Sequence, residues 1–258
     1  MIPIYLNARN LLTPLRAMVE RLAAIPAAGP IVIVDNASTW PPLLAWYAEI
    51  ERAPGFTPGP IETRKIRIVR LRKNRGELAP FQLPSRDSQL PSPFFAVSDP
   101  DLDISGVPDD FLEHLVAGLK RYPDRVKAGL SLRIDDLPPE APFTRQVLRH
   151  ESRFWQRTLP PSTLNSQPSY SPGVKPGARP IFYDANVGLT FAVYRGPIRR
   201  SAFRYAPALR AAPPYTARHL PWYLTPETLD DEWRYYFQHA EGRLSGWSGK
   251  MRRLLEPT

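Results

Sequence analysis

Ser98-Asp99-Pro100-Asp101-Leu102-Asp103 sets three carboxylates at alternate positions directly after an apolar run, Phe94-Phe95-Ala96-Val97. In an extended backbone residues two apart project to the same side, so the three acids converge. Like charges that close are costly unless a cation neutralises them, and a hard Mg²⁺ or Mn²⁺ held by carboxylates and substrate phosphates does so. Pro100 cannot donate to a sheet ladder, which is expected to end strand pairing here and leave the acids at a strand end. The competing reading is a solvated acidic turn ahead of a helix starting at Pro108. His219 lies in an aromatic stretch, Pro214-Tyr215-Thr216-Ala217-Arg218-His219-Leu220-Pro221-Trp222-Tyr223. Its imidazole suits Mn²⁺, and Arg218 beside it suits phosphate; the alternative is a histidine hydrogen-bonded within a packed aromatic lid. Trp222 and Tyr223 offer faces for a sugar ring, or core. The sequence contains no cysteine. That excludes disulfides, thiolate metal sites and a thiol nucleophile, leaving carboxylates, imidazole and backbone oxygens as metal ligands.

The elements that must carry these groups alternate. Residues 2–6 read as a strand. Thr13-Pro14 supplies an N-cap and a proline in the first turn, with Leu15, Met18, Val19, Leu22 and Ile25 at helical spacing until Pro26. Residues 31–34, all β-branched, read as a buried parallel strand. A short helix is expected over 41–50, strands over 66–71 and 94–97, a helix over 108–122 and a fifth strand over 128–134. Asp109 and Asp110 suit the positive end of the 108–122 helix, Lys120 and Arg121 its negative end.

Such an order implies an α/β fold: a Rossmann-like, mostly parallel sheet with helices on both faces. Ligands bind beyond the carboxyl ends of the strands in such sheets, and the residues there are polar throughout: Asn7 and Arg9, Asp35-Asn36, Asn74-Arg75-Gly76, the Asp99 cluster, and Asp135-Asp136. Taken singly, each is also what a solvated loop carries. The remainder is less regular. A helix holds Val147, Leu148, Glu151, Phe154 and Trp155, residues 159–180 read as a flexible loop, and residues 185–195 resume as a strand. Proline-rich loops are expected at 52–63 and 80–93. One continuous domain in two parts, 1–135 and 136–258, fits better than two domains.

The 258 residues carry 34 Lys+Arg against 25 Asp+Glu, a net charge of +9. The basic residues are scattered, which points to phosphate-bearing ligands more than to a nucleic-acid module. The first residues lack the basic and apolar regions of a signal peptide, and no run reaches the ~18 apolar residues that span a bilayer. A cytoplasmic protein is expected. The tail over 243–255 mixes Arg243, Lys250, Arg252 and Arg253 with Leu244, Trp247, Met251, Leu254 and Leu255. It reads as a docked terminal helix, or as a peripheral contact with the inner face of an anionic membrane.

On these residues the chain resembles the family 2 glycosyltransferases and their GT-A fold. Ile31-Val32-Ile33-Val34-Asp35-Asn36-Ala37-Ser38-Thr39 is similar to the family's second-strand motif, Arg72-Lys73-Asn74-Arg75-Gly76 to its turn after the third strand, and Asp99-Pro100-Asp101 to its D-x-D. The resemblance is fullest over 2–135, and extends less specifically through Leu132–Pro138, Phe191–Arg195 and Ala217–Tyr223. It implies a nucleotide-sugar-binding half over 1–135 and an acceptor-side half with a C-terminal lid over 136–258. Asp35 would contact the base or ribose, and Asp99 the ribose or metal. Asp101 would bind the metal, with Asp103 tightening the site or pairing with Asp101 instead. Asn7, Arg9, Asn74 and Gly76 fall at the donor side, and His219 would complete the Mn²⁺ or Mg²⁺ shell.

The implied activity moves a sugar from a UDP-, GDP- or dTDP-sugar to a glycan or lipid-linked acceptor in envelope polysaccharide assembly. An inverting transfer needs a carboxylate base, and the family's Glu-Asp pair has no counterpart in its expected place. Asp231 and Glu232 are the nearest candidates, then Asp184, although Trp233, Tyr236, Phe237 and Ala240 mark a helix whose first turn favours acids anyway. A retaining transfer would not require this base. A nucleotidyltransferase acting on sugar phosphates shares this chemistry, but residues 6–13 hold no glycine-rich phosphate loop. A nucleic-acid-binding protein is the third reading, disfavoured because converging Asp residues repel a phosphate backbone.

Overall fold

A computed structural model describes residues 1–52, 66–83, 92–159, 182–188, 190–196, 206–241 and 250–255. The expected loops at 53–63 and 160–180, most of 80–93 and residues 243–249 of the tail lie outside these.

Eleven strands are present among the described residues: β1 (Ile2–Ala8), β2 (Ala28–Asp35), β3 (Ile66–Arg70), β4 (Phe94–Ser98), β5 (Leu102–Asp103), β6 (Lys127–Gly129), β7 (Ser131–Leu132), β8 (Phe182–Tyr183), β9 (Ala192–Arg195), β10 (Ala208–Ala211) and β11 (Thr216–His219). The helices are α1 (Thr13–Ala23), α2 (Pro41–Arg52), α3 (Phe111–Arg121), α4 (Thr144–Glu151) and α5 (Asp231–Gln238). The main sheet has eight strands in the order β3-β2-β1-β4-β9-β6-β10-β8. β9 runs against both of its neighbours and β8 against β10, while the other pairs are parallel. The architecture is therefore the mostly parallel mixed α/β sheet flanked by helices that the strand and helix alternation implies. Strands from beyond residue 135 complete the sheet begun by the first half.

Alternation divides the sheet's side chains. Ile4, Leu6, Ile31, Ile33, Ala96 and Val193 belong to one core with Leu15, Met18, Val19 and Leu22 of α1, Leu43 and Tyr47 of α2, and Phe111 and Leu115 of α3. Each of these large side chains stabilises the fold by about 1.5–3 kcal/mol through removal from water. Tyr5, Val32, Val34, Val97 and Tyr194 turn the other way, onto Ala79 and Leu83. That second face is covered, among the described residues, by the 3₁₀ segment Gly76–Gln82 rather than by the helices expected there.

Two expected strands are cut short. Residues 128–134 form β6 in the main sheet and β7 in a three-stranded sheet, β5-β11-β7, with Leu130 N donating to Phe191 O at 2.9 Å between them. Gly129 makes the close approach possible: a Cβ there would stand 2.4 Å from Val187 Cγ1 and 2.9 Å from Phe191 O. Of the described residues within 185–195 only β9 is strand. The start of α1 also differs. Thr13 is its first residue, Leu12 in the N-cap position makes no side-chain cap, and the capping carboxylate comes from Glu232, which accepts from Leu12 N and, at 3.0 Å, from Thr13 N.

Candidate functional site

The carboxyl ends of β1, β2 and β4 and the turn after β3 open into one cavity of about 430 Å³. Its polar wall is a chain of amides. Asn7, in β1, donates from Nδ2 to Asp99 Oδ1 at 3.0 Å. Asn36, next after β2, donates from Nδ2 to Gly76 O at 3.0 Å and to Asn7 Oδ1 at 3.4 Å, and accepts from Arg75 N at 2.7 Å. Arg9 donates to Asn36 O and Ala37 O at 2.7 and 3.0 Å. These bonds hold three separate chain crossings at fixed spacing. Gly76 takes a φ of 65°, a left-handed conformation that glycine adopts at little cost and that lets the turn double back beneath Asn36.

The structure brings Asn7, Arg9, Asn74, Gly76, Asp99, Asp101 and His219 to this cavity. Burial, then the neighbouring Asp101, pushes the Asp99 carboxyl well above the usual range, against the hydrogen bond from Asn7. His219 arrives through strand pairing: β11 lies antiparallel to β5, opposing His219 to Leu102, and Leu220 N donates to Asp101 O at 2.9 Å. His219 Nε2 then sits 3.4 Å from Asp101 Oδ2, its Nδ1 buried without a hydrogen-bond partner and its ring 4.6 Å from that of Trp222.

No group of three His, Asp or Glu side chains among the described residues is disposed to hold a metal ion. Asp101 and His219 are in contact, whereas Asp99 is drawn toward Asn7. The donor chemistry nonetheless fits a divalent cation. Two carboxylates and an imidazole are an oxygen and nitrogen set suited to Mn²⁺, and a bound cation would offset both the burial and the Asp101 repulsion that raise Asp99.

Other expected site residues are engaged elsewhere. Asp35 shares the sheet face of Ile31 and Ile33, and its carboxylate accepts from Ser38 N at 3.3 Å and Tyr47 Oη at 3.4 Å. Burial raises its pKa, against those bonds. Alternation puts Asn36, not Asp35, on the cavity wall. Glu232 is turned onto the start of α1, Asp231 is an exposed residue of α5's first turn, and Asp184 is paired with Arg125 at 2.7 Å and Arg157 at 3.6 Å. None of these four acids lines the cavity, so the structure does not bring the expected bases Glu232, Asp231 and Asp184 to it. Asp103 is likewise outside it. Burial raises the Asp103 carboxyl, but the Ser105 and Arg218 interactions outweigh this and leave it below its usual value. Arg218 is committed to Asp136 at 2.6 Å and is not at the cavity wall.

Asn36, one of the expected strand-end residues, lines the cavity, and residues that sequence reasoning did not select complete the lining: Glu77, Glu151, Arg153, Arg210 and Tyr236 among them. Glu151 was visible as a member of a helical pattern, but nothing local marked it as a cavity residue. Arg9 and Asn74 also meet Glu241 Oε1, at 3.2 and 3.0 Å, so the segment after α5 reaches this wall of the cavity.

No protein-family model matches the chain, and no curated protein matches it. Among solved structures it is similar to a mannosyltransferase from Pyrobaculum calidifontis in complex with GDP-Man and Mn²⁺, at 12% identity and TM-score 0.48, over 97% of this chain and 64% of that one. S. aureus TarS 1–349 in complex with UDP matches at 14% identity and TM-score 0.45, over 99% and 70%. A CMP:2-keto-3-deoxy-manno-octonic acid synthetase complexed with CTP matches at 12% identity and TM-score 0.37, over 76% and 74%. The chain thus spans just under two thirds of the mannosyltransferase's length.

Proposed function

We propose that the chain is a metal-dependent glycosyltransferase of the GT-A type, related to family 2, which moves a sugar from a nucleotide-sugar donor to a glycan or lipid-linked acceptor. The observation that carries this reading is the meeting of Asp99, Asp101 and His219 at one cavity beyond the carboxyl ends of β1, β2 and β4, walled by the Asn7, Arg9, Asn36 and Gly76 network. Residues 1–135 then form the donor half and residues 136–258 the acceptor side and lid.

A Mn²⁺ or Mg²⁺ ion held by the D-x-D carboxylates Asp99 and Asp101 with His219 would supply charge neutralisation for the leaving diphosphate. Asn7 orients Asp99 by its amide, and the buried Trp222 packs beside the His219 ring. Arg9 presents a guanidinium to an anionic donor once Glu241 withdraws. In an inverting transfer the acceptor's proton would pass to a carboxylate of the cavity wall, where Glu77 stands besides Asp99 and Asp101. No described helix is long and apolar enough to cross a membrane. A cytoplasmic enzyme of envelope polysaccharide assembly, touching the membrane at most through its basic tail, is the setting we propose.

Calorimetric titration of UDP, GDP and dTDP with and without Mn²⁺ tests the reading, followed by a donor screen for nucleotide-sugar hydrolysis. Metal-dependent binding of one nucleotide is expected; binding of none sinks the proposal.

A further inference from the structure

The end of the cavity away from Asp99 carries the opposite charge. Glu151 closes α4, Arg153 and Phe154 follow in the 3₁₀ turn Ser152–Trp155, and Arg210 comes from β10. Arg210 Nη1 meets Glu151 Oε2 at 2.6 Å, with side-chain exposures of only 3% and 4%. Arg153 Nη2 lies 3.2 Å from His150 Nδ1. Both guanidinium carbons stand 4.6 Å from the centre of the Phe154 ring, so two cations share one aromatic platform.

Charge in this corner does not balance. His150 is held below its usual pKa, first by burial and then, against the pull of Glu151, by Arg153, Lys250 and Arg210. By geometry, two guanidinium groups, Arg153 and Arg210, share this corner with the single carboxylate of Glu151. The buried Arg210 also keeps its Nε without a hydrogen-bond partner, and an unsatisfied buried donor is something a fold rarely retains without use. His150, Glu151, Arg153, Phe154 and Arg210 all line the cavity that holds Asp99 and Asp101.

We propose that this end is an anion subsite, in which Arg153 and Arg210 receive a phosphate or carboxylate group carried by the acceptor. Guanidinium forks match both groups geometrically. Glu151 fixes Arg210 rather than cancelling the site, because Arg153 supplies the charge left over. The two ends differ in sign: an anion without a metal is repelled by Asp101 and Glu77 and attracted by the arginines. Assigning that anion to the acceptor rests on the glycosyltransferase reading; the anion site itself does not.

The full chain, in EDTA, is titrated calorimetrically with glycerol phosphate, glycerate and glycerol. One or both of the charged probes should bind and glycerol should not, the stronger of the two identifying the group that the site takes. Arg153→Gln should weaken that binding at least tenfold, and Arg210→Lys, which keeps the charge but loses the fork, should do the same. If Arg210→Lys does not fold, Arg153→Gln decides alone. Binding of neither anion, equal binding of glycerol, or unchanged binding in Arg153→Gln overturns the subsite. Titration of Arg153→Gln with nucleotide and Mn²⁺ separates the two readings. Nucleotide binding retained while anion binding falls supports the acceptor assignment. A wild-type chain that binds the anion but no nucleotide overturns that assignment together with the transferase reading, and leaves the anion site standing.

Discussion

The two ends of the cavity are built differently. The carboxylate end hangs on β1, β2 and β4, whose register runs without a break from Ile4 opposite Ile31 to Ala8 opposite Asp35 on one side and from Ile4 opposite Ala96 to Leu6 opposite Ser98 on the other. The arginine end rests on an eight-residue helix, a 3₁₀ turn and the four-residue β10. In the first, the backbone ladder fixes where each side chain emerges, and small amides suffice to join the strand ends. In the second, the buried Glu151–Arg210 pair must do part of the positioning itself. The lesson is that acidic residues alike in sequence can serve chemistry or architecture according to which support they meet.

The sharpest break of that comparison is Asp101→Ala. Mn²⁺-dependent nucleotide binding should weaken about a hundredfold, or about 3 kcal/mol, while circular dichroism and the unfolding midpoint show an intact fold. Retained binding would remove Asp101 from the site. Glu232→Ala tests the opposite assignment. It leaves Leu12 N and Thr13 N unsatisfied at the start of α1 and should lower stability to denaturant by about 2 kcal/mol, with nucleotide binding unchanged. Lost turnover at undiminished stability would return Glu232 to the chemistry.

The smallest effect concerns the seam between the ends. Lys127 in β6 is 1% exposed and donates from Nζ to Val187 O at 2.5 Å, beneath the cavity-lining residues Asn186 and Gly188. Burial brings its pKa down from 10.5 to about 8, with Glu77 opposing. Between pH 8 and 10.5 the unfolded chain therefore holds the proton that the folded chain has released, so this group makes stability rise with pH across that window. The slope from one group is at most about 1.4 kcal/mol per pH unit. Lys127→Met should flatten the profile of unfolding free energy from pH 8 upward; an unaltered slope would show that Lys127 is not its source.

The first half, residues 1–135, was legible because its signals are local. A β-branched run bounded by turns reads as β2, Pro14 and the spacing of Leu15, Met18 and Leu22 read as α1, and polar residues after apolar strands read as strand ends. Asp35 shows the limit of that reading: the motif was visible, but the pleat's phase gives the cavity wall to Asn36 and turns Asp35 to Tyr47. The second half was less legible, since β8, β10 and β11 are two to four residues long, too short to carry a period of their own.

By itself, then, the sequence determined the alternation of strands and helices, the mostly parallel sheet and the placing of Asn7, Asn74 and the Asp99 cluster at its carboxyl edge, because side-chain period and turn chemistry act over a few residues. Tertiary structure alone decided which acids face the cavity. The β5–β11 pairing brings His219 to Asp101, the α1 terminus captures Glu232, and β10 delivers Arg210 to Glu151. Each depends on distant segments meeting out of water, where a charge is kept only if a partner from elsewhere in the chain arrives to satisfy it.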